Sequence, residues 1–217
     1  MSNKIEQIAT SLIKELPKKS GVKFSDIERT EKRLSVALPQ SLKDFYLSVG
    51  NTDIFTSSFE EFGKLDELFI KEGKLIFLCE NQGVCFWGVD LNDEQVYMCT
   101  DLEAKKIDWE SEETKLEEFL QIIMYYQVAQ GGYEFGAALY ESEFENNKEY
   151  LKTLKEITKD FTKVVNHNGL VIYKKEHKLV WHFLKEDKKT VENILFASTL
   201  TKKDLEEFED RFGFEEL

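Results

Sequence analysis

The chain has 217 residues, of which 41% are hydrophobic, and its 42 acidic and 29 basic residues give a net charge of -13. A chain of this length and composition can bury a sizeable core, so a mainly disordered state is not expected. The negative charge repels nucleic-acid phosphates and anionic membrane surfaces, so we expect no direct binding to either. No apolar run is long enough to span a membrane, and charges interrupt the first sixteen residues, so the sequence predicts a cytoplasmic protein.

Three short helices are predicted in the N-terminal part of the chain. The first is amphipathic and ends before Pro17. Ser25 and Glu28 form a capping-box pair, which predicts that Ser25 is the N-cap of the second helix. Pro39 begins the third helix, and Gly50 is expected to end it in a left-handed conformation.

The middle of the chain is rich in strand patterns. Three apolar runs, at 75–79, 84–91 and 95–99, are joined by short polar turns and predict an antiparallel meander of central strands. Thr114 and Glu117 then make another capping pair, which begins an amphipathic helix expected to pack across the sheet.

The C-terminal part repeats this mixture of elements. A helix is predicted at about 144–161, and Thr201 begins a last helix together with Asp204. Between these helices lie three predicted strands, at 170–173, 179–184 and 191–197.

The order of these elements predicts an α+β fold with a mostly antiparallel central sheet packed with several helices. The only internal boundary that the composition suggests is 131–143. We interpret residues 1–217 as one domain with a core at about 20–130 and a C-terminal α/β extension at about 131–217. The later strands then either extend the first sheet or form a separate lobe.

The residues that commonly bind metals or act as nucleophiles form no recognisable pattern. Cys79, Cys85 and Cys99 are too widely spaced for a paired zinc motif and are interpreted as buried hydrophobic residues. The three histidines lack metal-ligand spacing, and no phosphate loop or nucleophile elbow occurs. The sequence therefore predicts no metal, no cofactor and no enzyme activity, although a site built only from carboxylates would not stand out in so acidic a chain.

A resemblance to a known family covers about residues 20–125. The motifs that carry it are Ile27-Glu28-x-x-Glu31-Lys32-Arg33-Leu34, Leu38-Pro39, Leu42, Phe45-Tyr46, Gly50-Asn51, Glu80-Asn81-Gln82-Gly83-Val84, Trp87-Gly88, Val96-Tyr97, Trp109 and Phe119-Leu120. In this order and spacing they resemble the SUKH superfamily, the domain of Smi/Knr-type proteins. Asp93-Glu94-Gln95 stands where a proline pair is common, and residues 131–217 match no motif of the family.

The resemblance implies a SUKH-like α+β fold and, in bacteria, a frequent role as an immunity protein that neutralises a toxin, often a nuclease or deaminase. Other relatives are scaffolds or regulators. The favoured function is therefore an immunity protein that occludes the basic surface of a toxin encoded nearby. A non-catalytic intracellular scaffold or regulatory module remains the alternative.

Candidate partner-binding residues fall in three segments. They are Glu80, Asn81 and Gln82 in the polar turn; Trp109, Glu110, Glu112 and Glu113; and Tyr140, Glu141, Glu143 and Glu145. The last two segments combine carboxylates with aromatic residues, which are common anchors in tight interfaces. The alternatives are that the acidic runs are solvated faces of ordinary elements and that the turn side chains bond their own backbone.

Overall fold

The structure is a computed structural model that describes residues 4–217. These residues form seven α-helices and two six-stranded antiparallel sheets, which confirms the predicted α+β class. The chain divides into two compact units, one ending at Gln127 and one beginning at Val128. Within the described residues, no helix combines the length and the apolar character that a membrane span requires.

The first unit contains five helices and the first sheet. Its helices are α1 (Lys4–Leu12), α2 (Phe24–Leu34), α3 (Gln40–Val49), α4 (Asp53–Thr56) and α5 (Leu116–Gln127). Its strands are β1 (Glu61–Phe62), β2 (Phe69–Lys71), β3 (Lys74–Cys79), β4 (Phe86–Asp90), β5 (Gln95–Cys99) and β6 (Glu110–Lys115). The strand order is β1-β3-β4-β5-β6, with β2 also pairing with β3.

Aromatic contacts join the helices of the first unit to its sheet. Helices α1, α3 and α5 pack against one another. Phe45 of α3 stacks on Phe62 of β1 with ring centroids 4.3 Å apart. On α5, Phe119 contacts Phe77 of β3 and Trp87 of β4, at 6.0 and 6.4 Å between centroids. The prediction that this helix packs across the sheet is confirmed.

Three predicted helix ends are wrong. Helix α2 begins two residues earlier than predicted, with Lys23 as its N-cap and no side-chain cap, so Ser25 does not have that role. Thr114 lies in β6, where its hydroxyl bonds to Glu118 instead of capping α5. Gly50 follows α3 at φ -61°. A Cβ there would lie 2.6 Å from the carbonyl oxygen of Tyr46, so close packing, and not a left-handed turn, requires this glycine.

The second unit has a sheet of its own. Its elements are β7 (Phe135–Tyr140), α6 (Asn147–Ile157), β8 (Thr162–His167), β9 (Leu170–Lys175), β10 (Lys178–Phe183), β11 (Ile194–Thr199), α7 (Lys202–Phe212) and β12 (Glu215–Glu216). The strand order is β12-β7-β11-β10-β9-β8. The predicted N-cap Thr201 is confirmed, since its side chain accepts the backbone N–H of Asp204.

Helices α6 and α7 supply much of the core of the second unit. Tyr150 of α6 and Leu205 of α7 are fully buried in one cluster with Val180 and Leu195 of the sheet. The later strands therefore do not extend the first sheet. Strand β7 lies within the segment that composition suggested as a boundary, and it pairs with β11 along its whole length. The interpretation of this unit as an extension of one SUKH-like domain stays a prediction.

Candidate interaction surface

The polar turn between β3 and β4 is closed by the side chain and backbone of Glu80. Its carboxylate accepts the N–H groups of Gln82 at 2.8 Å and of Val84 at 3.3 Å. Its backbone N–H donates to the carbonyl of Cys85, and its carbonyl accepts the N–H of Gly83, which has φ +73°. Glu80 thus forms hydrogen bonds with the backbone of its own turn, which is the alternative that the sequence analysis left open for these side chains. The side chains of Asn81 and Gln82 are exposed.

A second carboxylate, which the sequence analysis missed, lies beneath the turn. Glu60 is only 4% exposed, and its carboxylate accepts the N–H of Asn81 at 2.9 Å. Burial raises the pKa of Glu60 to about 7; the Asn81 hydrogen bond opposes this shift and the charge of Glu80 adds to it. Glu60 is therefore a carboxyl group that changes charge near neutral pH.

The end of α5 holds Glu60 in place through its backbone. The side-chain oxygen of Gln127 accepts the N–H groups of Phe59 at 2.8 Å and Glu60 at 2.9 Å. Its amide nitrogen donates to the carbonyl of Glu60 at 2.6 Å. Gln127 is fully buried, so these bonds satisfy polar groups that water does not reach. A glutamine on an apolar helix face gave no sequence signal for this contact.

The acidic run after Trp109 is an edge strand. Glu110 and Glu112 of β6 lie on the face of the sheet that also carries Trp87 and Met98, since Glu110 pairs with Met98 and Met98 pairs with Trp87. The indole N–H of Trp87 donates to Glu112 at 2.7 Å. Trp87 is half-buried, and this bond gives its indole N–H a polar partner. Glu113 is exposed in an irregular part of the strand, with φ +55°.

The turn and the edge strand bring their carboxylates together around Cys85. Burial raises the pKa of the Cys85 thiol, and four nearby carboxylates raise it further: those of Glu80, Glu60, Glu110 and Glu112. A thiol in such surroundings is a poor nucleophile. We call Glu80, Glu110 and Glu112, with Glu60 beneath them, the hairpin acidic surface. It joins two of the three candidate segments.

The structure places Trp109 away from this surface. Its indole N–H donates to Glu72 at 3.1 Å, and its ring lies 5.3 Å from the ammonium of Lys74. Lys74 also lies 4.4 Å from the ring of Tyr97, which is on the opposite sheet face from Trp87. A Cβ at Gly88 would lie 2.9 Å from the end of the Ile76 side chain, so glycine at this position leaves room for side chains of the neighbouring strand.

The third candidate segment lies in the second unit. Tyr140 is the last residue of β7, and Glu141 and Glu143 lie in a short 3-10 turn after it. The backbone N–H of Tyr140 donates to the carboxylate of Glu143 at 3.1 Å, while Glu141 accepts a bond from Asn147 at 2.7 Å. Glu145 is exposed.

Comparison with known proteins gives one match. Residues 21–122 match the model of the SMI1 / KNR4 family (SUKH-1). The chain carries a SUKH-1 domain. No significant match was found among curated proteins or solved structures.

Charged residues of the SUKH-1 motif have structural roles. The carboxylate of Glu31 accepts the N–H of Leu38 at 2.8 Å and the ammonium of Lys43 at 3.2 Å. The guanidinium of Arg33 donates to the carbonyls of Leu65 at 2.9 Å and Leu68 at 2.7 Å. These bonds connect α2 to the start of α3 and to the loop before β2, so the motif that identifies the domain is mainly architectural.

The residues that could bind a metal are dispersed. Among residues 4–217, no group of three or more His, Cys, Asp and Glu side chains is placed to hold a metal ion. Cys99 is buried, as predicted, while Cys79 and Cys85 are half-buried, and all three are free thiols. His182 of β10 is only 2% exposed, and burial lowers its pKa.

Proposed function

We propose that this chain is an immunity protein that binds a basic protein toxin in the bacterial cytoplasm and blocks its working surface. The hairpin acidic surface of the SUKH-1 domain carries the proposal, because the carboxylates of a turn and of the edge strand β6 all lie near Cys85 in a chain of net charge -13. The resemblance to SUKH immunity proteins supplies the class of partner. The proposal assigns no catalytic role to any residue.

The proposed mechanism is occlusion guided by charge. A nuclease or deaminase that acts on nucleic acid needs a basic surface to hold phosphate groups. An acidic partner is attracted to that surface, and complementary potentials raise association rates by about 10- to 1,000-fold at low salt. Exposed carboxylates on the edge strand, such as Glu110, can then occupy the positions where the phosphates would bind.

The test is co-expression with the toxic protein encoded beside this chain. We expect co-expression to restore growth, and the purified proteins to form a complex that weakens as salt is added. Loss of rescue together with absence of a complex would contradict the proposal. A complex with another cellular protein, without rescue, would favour a scaffold. A complex that is insensitive to salt would keep the partner but remove the electrostatic mechanism.

A charge reversal on β6 localises the contact. Glu110→Lys changes an exposed carboxylate with no hydrogen bond in the described part of the chain, so the fold should tolerate it. We expect toxin affinity to fall about tenfold or more, mainly through slower association. Glu28→Lys, an identical charge change on the exposed face of α2, is the matched control and should have a much smaller effect. Equal effects of both variants would mean that only net charge matters.

A further inference from the structure

A cleft of about 460 Å3 opens in the second unit where the end of β7, the following 3-10 turn and the start of α6 meet. Its volume falls in the range of about 300–1,000 Å3 that is typical of ligand pockets. Two aromatic rings, one carboxylate and three amides line it: Tyr140, Phe144, Glu141, Asn146, Asn147 and Asn193. We call it the Tyr140 cleft.

The walls of the Tyr140 cleft are fixed by backbone and side-chain bonds. Tyr140 pairs with Ile194 of β11 at the end of the strand ladder. The N–H of Glu141 donates to the carbonyl of Asn193 at 2.8 Å. The amide of Asn147 donates to one carboxylate oxygen of Glu141 at 2.7 Å. A site held in this way needs little ordering when a ligand binds.

The cleft is negatively charged. None of its lining residues is basic. The second carboxylate oxygen of Glu141 has no hydrogen bond within the described part of the chain, so it is available to a donor. Below the cleft, burial raises the pKa of Tyr150, and the charges of Glu141 and Glu192 raise it further. Two carboxylates therefore act on the same small region.

The start of α6 opposes this charge only in part. A helix N-terminus carries about half a positive charge. The side chain of Asn146 already accepts the N–H of Glu149, which also places a carboxylate in the first turn. Residues 141–149, which follow Tyr140, contain four glutamates and one lysine, Lys148. The carboxylates outweigh the helix end, so the cleft favours a cation.

We propose that the Tyr140 cleft receives an arginine side chain of the protein partner. A planar guanidinium can stack on Tyr140 or Phe144 while its N–H groups donate to Glu141 and to the amide oxygens around it. A lysine ammonium would match the charge but not the flat walls. The identity of the partner as a basic toxin rests on the proposed function, whereas the chemistry of the cleft does not.

The test uses a small probe and the full chain labelled with 15N. We expect N-acetyl-arginine N-methylamide to shift the NMR signals of residues 140–147 and Asn193, and the uncharged citrulline counterpart to bind at least about fivefold more weakly. Glu141→Gln keeps an acceptor for Asn147 but removes the charge, and should weaken the arginine probe by about the same factor. Glu206→Gln, on an exposed glutamate of α7 outside the cleft lining, should leave binding unchanged.

Three results would overturn the inference. The first is equal binding of the citrulline compound, and the second is an equal loss of binding in Glu206→Gln. The third is the same signal shifts on adding inorganic phosphate, which would identify an anion site at the start of α6. The probe also separates this inference from the proposed function. Binding of the arginine compound without rescue from the toxin would remove only the proposed function, and rescue without arginine binding would remove only the cleft assignment.

Discussion

Glu60→Gln should stabilise the SUKH-1 domain in a strongly pH-dependent way. The folded domain holds the Glu60 carboxyl at a pKa of about 7, against an ordinary value of 4.5. Below pH 4.5 both the folded and unfolded chains keep this proton. As the pH rises from 4.5 to 7, the unfolded chain releases it first, so the free energy of unfolding falls; above 7 the loss is complete.

The size of the effect follows from the shift. A difference of 2.5 pKa units corresponds to about 3 kcal/mol at pH 9 and to about 1 kcal/mol at pH 5, where the unfolded carboxyl is only partly protonated. Glutamine is uncharged and keeps an oxygen for the Asn81 N–H, so the variant should avoid this loss. We therefore expect Glu60→Gln to gain little at pH 5 and most at pH 9.

Urea unfolding followed by the NMR signals of residues 75–99 measures the stability of the first unit separately. Glu61→Gln is the matched control, because Glu61 is the exposed neighbour, and its effect on stability should be small. The 13C signal of the Glu60 carboxyl should titrate near pH 7. A gain from Glu60→Gln that is equal at pH 5 and pH 9, or a titration near 4.5, would refute the reasoning.

Two further predictions concern buried polar side chains. Gln127→Ala should lower the free energy of unfolding by about 3 kcal/mol, because three hydrogen bonds to backbone groups, of about 1 kcal/mol each, are lost. Gln121→Ala, which removes a side-chain bond on the exposed side of α5, should have little effect. Urea unfolding measures both variants, and equal losses would contradict the argument. His182 has a lowered pKa, so the unfolded chain binds its proton first and stability should fall as the pH drops below 6.5. His182→Leu should remove that part of the pH dependence, and a ring proton signal of His182 that titrates at or above 6.5 would exclude it.

The sequence predicted the parts of the fold that depend on local periodicity. Runs of apolar residues located β3, β4 and β5, and the hydroxyl of Thr201 marked the start of α7. The predicted cap at Ser25 was wrong because capping residues are also common inside the first turn, and tertiary packing sets the exact start. Strand β6 was missed because its acidic residues resemble a solvated loop, and only pairing with β5 makes it a strand.

The candidate surface was harder to predict because it depends on contacts distant in sequence. Glu80 and Glu110 lie thirty residues apart in sequence, and only the β4-β5-β6 meander brings both near Cys85. Glu60 could not be distinguished from its exposed neighbour Glu61, since the burial of one and not the other follows from the fold of the whole unit. Trp109 is the opposite case. It is next to Glu110 in sequence, but the two side chains do not lie on the same face of the sheet.

Strand β6 ends the first sheet, and its outer edge carries backbone groups that another copy of the chain could pair with. Charged side chains and irregular backbone at such an edge discourage this pairing. Glu110, Glu112 and Glu113 supply the charge, and the left-handed backbone at Glu113 supplies the irregularity. The carboxylates that we propose to bind a partner would thus also discourage edge-to-edge pairing, so concentrated salt should promote self-association while it weakens partner binding.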